Sequence, residues 1–244
     1  MFKIMIVGGP ADPYIDQCLN SLLTQSCQDW EAQVVLDPVG DGTYARAKRW
    51  ESVKIKLKLN ETRLYATANL LEAARLLNPQ DDDILVTLDA DDWLAHKDVL
   101  SIVKGYYDRQ PDLLLTHGSW TSVPDPNCYK NNRPYSEDDF KRGIRKVDWR
   151  GSHLRTFKYK VWKCINDEDL RGPDGGYLQV TWDCAFMWIM MEISGLHRIK
   201  FIPEILYVYN QITPSNDSKL RLKEQMFLTD WLAAKPPYSY RETF

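Results

Sequence analysis

The sequence predicts an α/β fold, a mostly parallel central sheet with helices on both faces. Three observations lead there. Through the first hundred residues, short apolar runs alternate with stretches of helical spacing, the pattern of strand–helix–strand units. Two of those runs end on a carboxylate, Asp37 and Asp89, and open α/β sheets hold ligands beyond the carboxyl ends of their strands. The length of 244 residues, with 44% hydrophobic and 27% charged side chains, suits one generous globular domain.

The elements follow in order. Phe2 to Val7 is a strand closed by the turn signal Gly8-Gly9-Pro10. Asp12-Pro13 predicts an N-cap and first-turn proline for a helix carrying Ile15, Leu19, Leu22 and Leu23. Trp30 to Leu36 is the second strand, Gly40-Asp41-Gly42 a loop, and Val53 to Leu59 a half-exposed strand alternating apolar residues with lysine. Leu64 to Leu77 predicts a helix stopped by Asn78-Pro79, and Asp83 to Leu88 a strand running into Asp89-Ala90-Asp91-Asp92. In the second half, Ser122 to Pro134 predicts a long loop, Phe157 to Ile165 and Gln179 to Ile193 helices, and Phe201 to Tyr209 a late strand. Residues 233–244 form a polar tail containing proline.

Composition narrows the function classes. The longest apolar run, Cys184 to Met191, has eight residues, too few for a bilayer crossing, and the chain enters a strand at once, leaving no room for a signal peptide. Five scattered cysteines without a C-x-x-C pair predict reduced, buried thiols in a cytoplasmic setting. Aromatics at 12% suit recognition of flat or ring-shaped ligands, and equally an aromatic core. Residues 59 to 100 carry nine carboxylates against three basic side chains, while residues 141 to 163 carry nine Lys/Arg against Asp148 alone. That asymmetry suits a site for a cation and a polyphosphate, or else two solvated faces.

Three carboxylates within four residues at a strand end repel one another, and a hard divalent cation, Mn²⁺ or Mg²⁺, removes that cost. The competing reading makes Asp91 or Asp92 the cap of a helix beginning near Leu94. A dehalogenase-type phosphatase would place its Asp-x-Asp after the first strand, not the fourth. Phosphate loops, dinucleotide fingerprints, zinc-protease helices and nucleophile elbows are absent. The four histidines, His96, His117, His153 and His197, are isolated in sequence.

Taken in order, these residues resemble glycosyltransferase family 2. The resemblance rests on the first strand; on Tyr14-Ile15 with Cys18-Leu19 and Ser21-Leu22-Leu23; on Val34-Val35-Leu36-Asp37; on Asn60 with Ala66 and Asn69; and on "LDADDWL". Weaker echoes are "SHLRTFK" (Ser152 to Lys158), "WDCAFMWIMMEISG" (Trp182 to Gly195) and "FIPEILYVYN". It implies a GT-A (Rossmann-like) fold in a single domain, with residues 1–95 as the nucleotide-sugar half and 96–232 as the acceptor and catalytic-base half. It further implies an inverting, metal-dependent transfer from a nucleotide-diphosphate sugar, a UDP-sugar above all, to the hydroxyl of a glycan or small molecule.

By the same resemblance, Asp89 and Asp91 hold Mn²⁺ or Mg²⁺, with His153 or His197 completing the shell. Asp37 contacts the base, Asn60 and Asn69 the ribose and phosphate side, and Arg63 or Arg155 the diphosphate. Asp183 is the catalytic base, against the alternative of an ordinary cap for the helix that follows it. One departure is Leu36, where the family often has a second acid beside Asp37. The Q-x-x-R-W element and membrane helices of processive synthases are absent, which implies a soluble single-transfer enzyme.

Two alternatives stay open. The aromatic-interleaved basic stretch Lys141 to Lys163 suits DNA, as in viral enzymes that glycosylate hydroxymethylated bases in the host cytoplasm. A non-catalytic nucleotide-sugar-binding module would keep the same fold.

Overall fold

The computed structural model describes residues 1–126, 132–213 and 217–244. Part of the expected Ser122–Pro134 loop, and Cys128 with it, lies outside the described residues. One eight-stranded sheet runs through both halves of the chain, in the order β3-β2-β1-β4-β7-β6-β8-β5. Its strands are β1 (Phe2–Gly8), β2 (Trp30–Leu36), β3 (Ile55–Leu59), β4 (Ile84–Asp89), β5 (Trp93–Leu94), β6 (Leu115–Val123), β7 (Arg155–Lys158) and β8 (Ile199–Asn210). Pairs β1·β2, β1·β4, β2·β3 and β6·β8 are parallel, whereas β7 joins β4 and β6, and β5 joins β8, antiparallel. The predicted mostly parallel sheet is therefore present, with an antiparallel graft where the two halves meet.

The helices are α1 (Ile15–Leu23), α2 (Thr43–Lys48), α3 (Tyr65–Leu77), α4 (Val99–Arg109), α5 (Glu137–Arg142), α6 (Tyr159–Trp162), α7 (Trp182–Ser194), α8 (Asp217–Leu220) and α9 (Leu222–Ala234). Alternation along β1 explains why both faces are covered. Phe2, Ile4 and Ile6 join a core with residues of α1 and α4, while Met5 and Val7 join another with α3 and α7. Successive side chains of a strand point to opposite faces, so two apolar layers need a helix layer on each side. Among the described residues, no helix is long and apolar enough to cross a membrane.

Three expectations are corrected. Phe157 to Ile165 is not one helix: Arg155–Lys158 pairs with β4 and β6, and only Tyr159–Trp162 is helical. Asp12 is not an N-cap, since α1 starts at Ile15 without a side-chain cap and Asp12 ion-pairs with Arg46. Neither Asp91 nor Asp92 caps a helix, because Trp93–Leu94 pairs with β8 and the next helix starts at Val99. Four described cysteines are free, Cys18 and Cys184 buried, Cys27 and Cys164 half-buried. The tail is docked: Arg241 N–H donates to Ile193 O, and Arg198 stacks on Tyr240 and Phe244.

Candidate active site

The parallel strands β1, β2 and β4 end side by side, which brings Gly8, Asp37 and Asp89 to the rim of one cleft of ≈ 390 Å³. That volume suits a small-molecule site. Gly8 belongs there because a Cβ on it would meet Ala90 Cβ at 2.5 Å. The opposing rim comes from the start of α3, the segment before β7, the start of α7, Tyr209 of β8 and α9.

The acidic turn is clamped from β8. Asp92 is fully buried; Tyr207 Oη donates to its Oδ2 at 2.6 Å and Asn210 N–H to its Oδ1 at 2.7 Å. Tyr207 Oη also accepts from Asp89 N–H at 3.3 Å, and Asn210 Nδ2 donates to Asp91 O at 3.1 Å. Burial, then the Asp91 and Asp89 carboxylates, push the Asp92 carboxyl well above the usual carboxylate range. Asp92 thus fixes the turn, while Asp89 and Asp91 line the cleft.

Asp37 and two asparagines form a second buried group. Asp37 Oδ1 accepts from Asn60 Nδ2 and Leu64 N–H, and Oδ2 from Tyr65 N–H, each at 3.0 Å. Asp37 thereby satisfies free N–H groups at the start of α3, where Tyr65 has φ 64°. Asn60 Nδ2 also donates to Asn69 Oδ1 at 2.7 Å. That contact fixes the Asn69 amide, and its Nδ2, buried in a residue lining the cleft, has no partner among the described residues.

Asp183 sits in the first turn of α7, whose N-cap is Thr181, so Asp183 is not the N-cap residue. Its Oδ1 accepts from Cys184 N–H at 3.0 Å and its Oδ2 from Arg155 Nη2 at 2.9 Å. Arg155 is 3% exposed. His153 stacks on Tyr207 at 4.2 Å and on Tyr209 at 5.7 Å between ring centroids. Its Nδ1 has no partner among the described residues. Burial, then the charge of Arg155, holds this imidazole well below its ordinary pKa and therefore neutral, the form that ligates metals.

Of ten residues named from sequence, eight line this cleft: Asp37, Arg63, Asn69, Asp89, Asp91, His153, Arg155 and Asp183. Asn60 stands behind Asp37 and Asn69. His197 is a correction: it lies in the turn Leu196–Arg198, with its ring 5.8 Å from Tyr240, and does not line the cleft.

Ligand atoms of Asp89, Asp92 and His153 lie within 4.8 Å of one another. Asp92 is fully buried and does not line the cleft, which leaves Asp89 and His153 as the members that do. Hard oxygens with a neutral imidazole are a donor set that fits Mn²⁺ or Mg²⁺. The basic stretch does not converge on the cleft. Lys158 and Lys160 pair with Asp82, Lys163 with Asp81, Arg145 with Glu192 and Arg150 with Asp139, leaving Arg155 as its only charged member in the lining.

Sequence reasoning missed Tyr207 and Asn210, although period-two alternation in "LYVYN" puts Tyr207 and Tyr209 on one face of β8. It also missed Tyr65 at the start of α3, Gln179 before α7, and Gln225 and Thr229 of α9, which line the cleft.

The family model described as "Glycosyl transferase family 2" matches residues 11–168, more than half of the chain. No curated protein matches by sequence. Among solved structures, S. aureus TarS 1-349 in complex with UDP superimposes with a TM-score of 0.65 at 17% identity, covering 95% of this chain and 64% of TarS 1-349. Mannosyltransferase PcManGT from Pyrobaculum calidifontis, in complex with GDP-Man and Mn²⁺, gives 0.64 at 17% identity, covering 97% and 65%. Glucosyl-3-phosphoglycerate synthase from Mycobacterium tuberculosis, in complex with Mn²⁺, UDP and its glucosylated product, gives 0.58 at 12% identity, covering 96% and 81%. The chain spans just under two thirds of the first two. At these identities the likeness shows the fold, a GT-A fold shared with all three.

Proposed function

Because the chain belongs to glycosyltransferase family 2, we propose that its cleft moves a sugar from a nucleotide-diphosphate sugar to an acceptor hydroxyl. The observation that carries this reading is the pair of buried polar nitrogens, Asn69 Nδ2 and His153 Nδ1, left without described partners in residues lining one cleft. An orphaned buried polar group costs about 1–3 kcal/mol, and a ligand's oxygen removes that cost at the amide, a cation at an unprotonated imidazole nitrogen. UDP, UDP-GlcNAc and GDP-Man in the structural neighbours support a sugar nucleotide as that ligand, with a UDP-sugar the first choice.

On this reading residues 1–95 hold the sugar nucleotide and 96–232 the acceptor, within one domain. Asp37 and Asn69 face the nucleoside, Asn60 holds both in place, and Arg63, exposed beside Gly9 with its guanidinium over Tyr65, reaches the diphosphate. Asp89, Asp91 and His153 would hold Mn²⁺ or Mg²⁺, which when bound offsets the charge of the leaving diphosphate. Asp183 takes the acceptor's proton as its oxygen bonds to the anomeric carbon from the face opposite the diphosphate. The bond from that carbon to the phosphate oxygen breaks, the nucleoside diphosphate leaves and the configuration inverts.

Trp149, Trp182 and Tyr209 line the same cleft as Asp183, and such rings suit a glycan or small-molecule acceptor. The DNA reading loses the support of the basic stretch, most of which is paired elsewhere. The free thiols belong with a cytoplasmic location.

A thermal-shift panel of sugar nucleotides with and without Mn²⁺ tests the proposal. At a hundredfold excess over its Kd, the right donor adds about 2.7 kcal/mol of stability. Asp183→Asn should keep that shift and lose transfer by ~10²-fold or more. A panel without any Mn²⁺-dependent shift refutes the reading, and turnover surviving in Asp183→Asn refutes the base.

A further inference from the structure

We infer that Arg155 is a positioning residue for Asp183 rather than a contact of the diphosphate. This rests on the proposed function and concerns the same site. The guanidinium is committed on several sides. Nη2 donates to Asp183 Oδ2 at 2.9 Å and lies 3.4 Å from His153 Nε2, while Nη1 faces Thr87 Oγ1 at 3.5 Å. Its plane lies over the Trp182 ring, Cζ to centroid 5.1 Å.

The backbone explains this placement. Arg155 lies opposite Thr87 in the β4·β7 ladder, so it enters the sheet two residues before Asp89 on the strand that leads to the acidic turn. A two-pronged grip on a diphosphate needs two adjacent N–H groups. Here Nη2 is committed to Asp183 Oδ2, so it is not free to form such a fork with Nε, which has no partner among the described residues.

Arg155 offers Asp183 what a proton acceptor requires. It holds Oδ2 in a fixed direction while the Cys184 N–H holds Oδ1. Each carboxylate oxygen accepts two hydrogen bonds, so one site per oxygen stays open for an acceptor hydroxyl. With its side chain 21% exposed against 3% for Arg155, Asp183 is the more open of the two in the cleft that both line.

The test separates grip from aim. UDP binding with Mn²⁺ is measured by calorimetry, and hydrolysis of the sugar nucleotide found by the thermal panel is followed with water as acceptor. In that step water's oxygen bonds to the anomeric carbon, its proton passes to Asp183 and the nucleoside diphosphate departs. Arg155→Gln should leave UDP affinity and donor KM within about threefold and lower kcat by ~10²-fold, the cost of a reacting group displaced by about an ångström. Arg155→Lys, which keeps the charge without the fork, should recover about tenfold of that loss. If Arg155→Gln fails to fold, Arg155→Lys alone carries the test through the same split of KM from kcat. A fall in UDP affinity of about tenfold or more, or an unchanged kcat, overturns the inference. Wild-type protein that neither binds UDP nor turns over any donor would instead refute the reading of the cleft, an outcome visible before any variant is made.

Discussion

Tyr207→Phe removes one oxygen from the clamp behind the acidic turn, and its cost follows from the two hydrogen bonds that oxygen makes. The bond to Asp92, 2.6 Å long and fully buried, is worth about 1.5–3 kcal/mol while that carboxyl is ionised. The 3.3 Å bond accepted from Asp89 N–H is long and adds at most about 1 kcal/mol. The ring keeps its packing against His153, so no cavity forms and the total is roughly 1.5–4 kcal/mol. For a chain of this length that lowers Tm by about 3–16 °C. Thermal melts of the two proteins at pH 8 measure this. A Tm within a degree of wild type would refute the clamp.

His117 is 1% exposed between Tyr135 and Phe201, and burial lowers its pKa to about 4 from the ordinary 6.5. A folded-state pKa below the unfolded one gives stability that is complete above pH 6.5 and is lost as pH falls toward 4, about 3 kcal/mol in all. His117→Leu should flatten the acid limb over that window in urea titrations, and an acid limb parallel to wild type would contradict the assignment. Arg145 and Glu192, 7% and 8% exposed, form a two-pronged pair at 2.6 and 2.7 Å. Glu192→Gln strands the arginine's charge and should cost about 3–5 kcal/mol, whereas Arg145→Met combined with Glu192→Leu should cost clearly less; equal losses would rule out stranded charge as the cause. Asn69→Ala deletes the orphaned amide and should weaken UDP binding in calorimetry by about tenfold. Unchanged affinity would remove Asn69 from the ligand's contacts.

Much of the first half of the chain was legible because its strands are uniform apolar runs and its acids stand where those runs end. The second half was less so, for physical reasons. Phe157, Val161 and Ile165 have true helical spacing, yet Arg155–Lys158 fills the slot between β4 and β6, and long-range pairing overrides local periodicity. Strand β6 went unread because it buries Thr116, His117, Ser119 and Ser122, polar side chains that carry no apolar signature. Among candidate ligands, nothing local distinguishes His153 from His197. The difference arises because β7 runs antiparallel to β4, which brings the residue two before Arg155 alongside Asp89. Asn60's place behind Asn69 is likewise a matter of three-dimensional layering that spacing does not encode.

The three hydrogen bonds gathered by Asp37 tie the floor of the cleft to the first turn of α3. Any replacement there alters two things at once: what the pocket offers an incoming molecule, and how firmly that helix begins. A weakened affinity in an Asp37 variant is therefore a compound phenotype, and it speaks about nucleobase recognition only after the helix's own loosening has been subtracted, for instance by comparing amide exchange over residues 64–69.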